Sequence, residues 1–134
     1  MSEAKAKQAA SATGVRMSDQ KYSAELVNEL EGPVVRFRGT ISTQSPSALL
    51  NPFVDAVHEE LVKSGAPAVL VDFRELEFCN SSGFKAFIHW IERIQEVGET
   101  GRYRLCFVTS PARRWQRTSL LALSCFAPNE VELN

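Results

Sequence analysis

At 134 residues, 44% apolar and 23% charged, the chain has the size and composition of one globular domain plus a tail, enough to build a core without disulfides or a metal. With 15 basic residues against 16 acidic ones, the formal net charge of -1 provides no field to draw in nucleic acid or an anionic membrane. No apolar run approaches the ~20 residues that span a bilayer, so a membrane role is not expected either.

Residues 1–20 are rich in Ala, Ser, Lys and Gln, offer almost nothing apolar to bury, and lack the apolar centre of a signal peptide. They are expected to be a disordered tail on a cytoplasmic protein, with one domain over residues 21–134. Residues 22–30, "YSAELVNEL", read as a short strand, and the turn residues Glu31, Gly32 and Pro33 lead into "VVRFRGTI". There Val35 and Phe37 alternate with Arg36 and Arg38, the period of a strand with one wet face, which predicts a hairpin at a sheet edge. Ser45 before Pro46 and Asn51 before Pro52 are both cap-then-proline starts. They predict a short turn and then a main helix from Pro52, with Phe53, Val57 and Leu61 as its stripe and Gly65 and Pro67 ending it.

The runs "AVLVDF" (68–73) and "YRLCFV" (103–108) are continuous and apolar, as in central strands covered on both faces. Between them Phe84, Phe87, Ile88, Ile91 and Ile94 fall on one helical face, closed by Gly98 or Gly101. Strand, helix, strand implies parallel neighbours. After Pro111, "ARRWQRTSLLALSCFA" predicts another amphipathic helix and "NEVELN" a short last strand. The expected fold is α/β, in the order ββαβαβα(β), a mixed sheet with its helices mainly on one side. Cys79, Cys106 and Cys125, odd in number and set among apolar neighbours, match no disulfide or zinc spacing and are expected to be buried thiols in a reducing compartment.

Enzymatic chemistry finds little footing. His89 lies seven residues after Ser82 on one predicted helix, about 10 Å along its axis, beyond reach as a base. His58 belongs to another helix with nothing site-like beside it. Gly83 stands alone, so no phosphate-cradling loop is present. Glu59 and Glu60, and Glu75 and Glu77, read as solvated surface. Two distant histidines and apolar cysteines predict no metal and no cofactor. Arg102, Arg104, Arg113, Arg114 and Arg117 fall close together, either as a solvated face or as a patch that meets an acidic partner. Trp90 and Trp115 are candidates for core or for a partner surface.

The stretch "EFCNSSGFKAF", residues 77–87, puts an amide, two hydroxyls and a glycine where a buried strand gives way to a helix. One residue, Asn80 or Ser81, suffices as N-cap. The hydroxyl of Ser82 then falls in the first turn, where free N–H groups and the dipole favour added negative charge, so a phosphate is accommodated there. Gly83 is expected to leave room for another protein's active site to approach.

In "VLVDFRELEFCNSSGFKAFIHWI" the sequence resembles the core of the STAS domain, the anti-sigma factor antagonist family, with its "D-S-S-G" or "D-S-[ST]-G" helix start. The likeness runs back to "VVRFRGTI" and forward through "YRLCFVTSPARRWQRTSLLALSCFAPNEVEL", covering roughly residues 22–133. It implies a non-catalytic regulator without cofactor or metal. It further implies that Ser82, with Ser81 as the alternative, is phosphorylated by a partner serine kinase that often doubles as an anti-sigma factor. A metal-dependent serine phosphatase would reset the switch, and Ser42, Thr43, Asn80, Ser81, Gly83 and Phe84 would form the partner surface. Two positions depart from the family pattern: Asn80 replaces the acidic residue before the serines, and Ser42 replaces a loop aspartate. Both remove negative charge near Ser82, and the loop from Gly39 to Pro52 is longer than usual. The rival expectation is a constitutive scaffold of the same fold without phosphorylation.

Overall fold

The computed structural model describes residues 11–134. Six strands, β1 (Ser11–Ser18), β2 (Tyr22–Glu29), β3 (Gly32–Ile41), β4 (Ala68–Cys79), β5 (Arg104–Val108) and β6 (Val131–Leu133), form one sheet in sequence order. β1, β2 and β3 are antiparallel, while β3 to β6 run parallel. Helices α1 (Ser47–Ser64), α2 (Ser81–Glu96) and α3 (Arg114–Phe126) connect the parallel strands. The expected mixed sheet with its three helices is the one observed.

The core lies between the sheet and the helices. Phe37, Phe73, Phe87 and Phe107 are fully buried and meet edge to face, with centroids 5.6 Å apart for Phe37–Phe73 and 5.3 Å for both Phe73–Phe87 and Phe73–Phe107. Such rings gain from quadrupole geometry as well as from area. Around them Val54 and Val57 of α1, Trp90, Ile91 and Ile94 of α2, and Leu120 of α3 complete one cluster.

Several expectations are corrected. The tail expected to be disordered to Gln20 contributes β1, paired with β2 from Ser11↔Asn28 to Ser18↔Ser23; residues 1–10 lie outside the described residues. Val15 and Met17 pack on the core, and the Thr13 hydroxyl donates to Leu26 O at 2.9 Å. The hairpin of β2 and β3 therefore sits inside the sheet, and β1 takes the edge. α1 starts five residues before Pro52, with Pro46 at its N-cap, and the missing Pro52 N–H is tolerated because Leu50, Phe53 and Val54 are buried on one face around it. Gly65, at φ 72°, closes α1 in the left-handed conformation and donates to Leu61 O and Val62 O, as expected. α2 ends at Val97 before either candidate glycine.

β4 runs to Cys79 and is covered by helices on one face only. Opposite its core side chains, the buried Asp72 carboxylate takes Arg36 Nε at 3.0 Å and Arg74 Nη2 at 2.9 Å. Of the cysteines Cys79 alone is buried; Cys106 is half-buried and Cys125 exposed.

Candidate functional site

The junction of β4 and α2 is held by one side chain. Asn80 is in extended backbone (φ -75°, ψ 172°), and its N–H continues the ladder to Ile41 O at 2.9 Å. Its Oδ1 accepts from Gly83 N at 2.7 Å, satisfying one of the free donors of the first turn. Its Nδ2 donates to Thr43 O at 3.0 Å, tying the loop after β3 to the helix start. A carboxylate at this position could cap but could not donate. The amide therefore adds to the cap a clamp on the Ser42–Thr43 segment, where Ser42 is exposed and Thr43 half-buried.

With capping done by Asn80, both serine hydroxyls are spare. Ser81 is exposed and Ser82 half-buried in the first turn of α2, and neither hydroxyl has a hydrogen-bond partner among the described residues. No acidic residue occupies that turn, so the positive end of the helix is uncompensated.

Gly83 corrects the expectation of an open approach. It is buried, and a Cβ there would stand 2.7 Å from Cys79 Sγ and 2.8 Å from Ile41 Cγ2. The glycine lets the helix start settle on the sheet rather than admitting a partner. Burial pushes the Cys79 thiol up to about 12, so it is a packing group rather than a nucleophile.

Phe84 is half-buried, 5.7 Å from Phe87 and 6.3 Å from Trp115 between ring centroids. The Trp115 indole N–H donates to Glu77 O at 2.8 Å, pinning α3 beside the end of β4. Between α2 and α3 lies an apolar groove of about 490 Å³, lined by Ser81, Phe84, Ile88, Ala122, Leu123 and Phe126 among others. Phe126 is 57% exposed at its rim. The groove joins residues about forty positions apart, and no local pattern signals it. Trp90, by contrast, is core, donating to Tyr103 Oη at 2.8 Å.

Both histidines are engaged away from the serines. His89 Nε2 meets Asp55 Oδ1 at 2.7 Å, and buried His58 Nδ1 meets Tyr103 Oη at 2.7 Å. The phenol oxygen also accepts from Trp90, and a neutral His58 accepting the Tyr103 proton at Nδ1 is the arrangement that satisfies all three groups. Burial, then Arg93, lowers the His58 pKa in agreement with this arrangement.

No protein-family model matches the sequence, and none of the curated proteins does. Among solved structures, it superposes on the crystal structure of an anti-sigma factor antagonist from Mycobacterium paratuberculosis with a TM-score of 0.55 and 19% identity, over 87% of this chain and 90% of that chain. The chain has the anti-sigma factor antagonist fold. The superposition bears out the STAS-like architecture expected from "NSSG" and the strand order. Within the antagonist fold, the turn at residues 80–84 occupies the start of the helix that follows the long parallel strand β4. None of the helices in the described residues is long and apolar enough to cross a membrane.

Proposed function

We propose that the protein is a non-catalytic regulator of the anti-sigma factor antagonist type, which binds a serine kinase or related regulator through the turn at residues 80–84, the Ser42–Thr43 loop and the apolar groove beside them. Phosphorylation of a serine in that turn releases the partner, and a serine phosphatase restores binding. The observation that carries this reading is the division of labour at the turn: Asn80 alone caps α2, leaving two hydroxyls with no structural duty.

The physics of release follows from where the charge would sit. In the free protein a phosphoserine carries about two negative charges into water beside the positive end of a helix, which is favourable. Inside a contact built around Phe84 and the groove the same dianion must shed its water without a pairing cation, which costs several kcal/mol. Resemblance to the family favours Ser82 as acceptor. Exposure favours Ser81, which also lines the groove and would place the phosphate at its mouth. Gly83 is left out of the contact surface because its position is filled from the core side.

Incubation with the serine kinase encoded nearest to this gene, with ATP and magnesium, is expected to add a single phosphate seen by intact mass. Ser81→Ala and Ser82→Ala, tested separately, identify the acceptor. Failure of both to remove the adduct overturns the assignment of the turn. Partner binding without any adduct favours the constitutive scaffold.

A further inference from the structure

The arginines that cluster in the sequence part company in the structure. Arg102 and Arg104 lie near Glu130 and Glu132, at 4.0 Å and 3.4 Å. Arg113, Arg114 and Arg117 instead line a separate cleft of about 600 Å³ on the other flank of α3 from the apolar groove, together with Thr109, Ser110 and Leu121. Among the described residues none of these three arginines has a carboxylate partner, whereas Arg36, Arg38, Arg74, Arg93, Arg102 and Arg104 each do.

That arrangement works against the fold. Arg114 and Arg117 are i,i+3 neighbours on α3 and Arg113 directly precedes the helix, so the three like charges lie close together and repel. They also crowd the N-terminal end of α3, whose first turn holds no acidic residue, where the helix dipole disfavours cations. Arg113 donates only a long bond, 3.4 Å, to Arg74 O. Three unpaired guanidinium groups around a concave wall suit planar carboxylates, which they can hold in bidentate fashion. A nucleic-acid surface would instead need a basic stripe and a basic chain, and the net charge here is -1.

We propose that this cleft docks an acidic segment of a partner protein, with Asp or Glu side chains seated between Arg113, Arg114 and Arg117. The site is independent of the serine turn: it adds attraction and orientation on one flank of α3 while the other flank supplies the apolar contact.

The test needs neither kinase nor phosphate. Isotope-labelled full-length protein is titrated with an oligoglutamate peptide and followed by amide shifts. The expected shifts centre on residues 109–121, and affinity falls about tenfold between low salt and 0.5 M salt, where the screening length is roughly 4 Å. Arg114→Glu with Arg117→Glu is expected to abolish binding while melting no lower than the parent, since it removes repulsion. Should that pair fail to fold, Arg114→Gln with Arg117→Gln provides the same binding test. Shifts centred on Arg102 and Arg104, affinity unchanged in the variants, or tighter binding of inorganic triphosphate than of the peptide would each overturn the proposal.

Discussion

α2 and α3 both follow strands of the parallel half of the sheet, yet α2 is capped by the residue immediately before it, whereas α3 has no side-chain cap at Arg113 and is held by a buried glutamine. Gln116 Oε1 accepts from Ser110 N at 2.9 Å, and its Nε2 donates to Phe73 O at 2.6 Å and Leu76 O at 2.8 Å. The first device is local and leaves two serines with nothing to hold. The second reaches across forty residues and leaves the surface of the first turn free to carry arginines. At both helix starts the anchoring is done by a few residues, Asn80 for α2 and Gln116 with Trp115 for α3, which leaves Ser81 and Ser82 in the one and Arg114 and Arg117 in the other without a structural duty.

The comparison can be broken most severely at Gly83. Gly83→Leu drives a side chain into Cys79 Sγ and Ile41 Cγ2 and is expected to lower unfolding free energy by roughly 2–3 kcal/mol. Chemical denaturation measures this, and near-parental stability would mean that the helix start is looser than described. Asn80 comes next. Asn80→Ala loses both the cap and the donor to Thr43 O, an expected cost of roughly 1–2 kcal/mol. Asn80→Asp keeps the cap and welcomes the dipole, so it is expected to fall between Ala and the parent in the same assay. If Asp equals Ala, the clamp on Thr43 matters more than the cap.

Away from both helix starts, acid titration of stability probes the open face of the sheet. Burial raises the Asp72 pKa, but the hydrogen bonds from Arg74 and Arg36 outweigh it and bring the carboxyl to about 2, below its ordinary value of 3.8. A depressed carboxyl contributes stability that is fully present above pH 3.8 and is lost as pH falls from there through about 2. That contribution is on the order of 2 kcal/mol, and Asp72→Asn is expected to flatten the acid limb of a denaturation series. His58 has the same sign at higher pH: its lowered pKa means stability erodes as pH falls below its ordinary 6.5.

What could be read from sequence depended on how local the cause was. The apolar runs of β4 and β5 and the stripe of α2 announce themselves by period, and the Asn-Ser-Ser-Gly turn by residue type. β1 leaves no clear mark in the sequence because an edge strand that packs on the core through Val15 and Met17 carries almost no apolar signal. Pro46 and Pro52 offer equal local cues for the start of α1, and burial of Leu50 ahead of Pro52 decides between them. The inward setting of Gly83 depends on Ile41, forty-two residues earlier, and the burial of Gln116 on the carbonyls of β4. Neither is written in its own neighbourhood. The candidate site was therefore legible as a turn, while its groove and its basic flank required the fold.

The central claim is that the serines of the turn can take on charge without structural penalty. Thermal melts of Ser81→Asp and Ser82→Asp test it directly. Melting temperatures equal to or slightly above the parent are expected, from up to about 1 kcal/mol of favourable interaction with the helix end. A fall as large as that of Asn80→Ala would show that these hydroxyls hold the helix start together, and would contradict it.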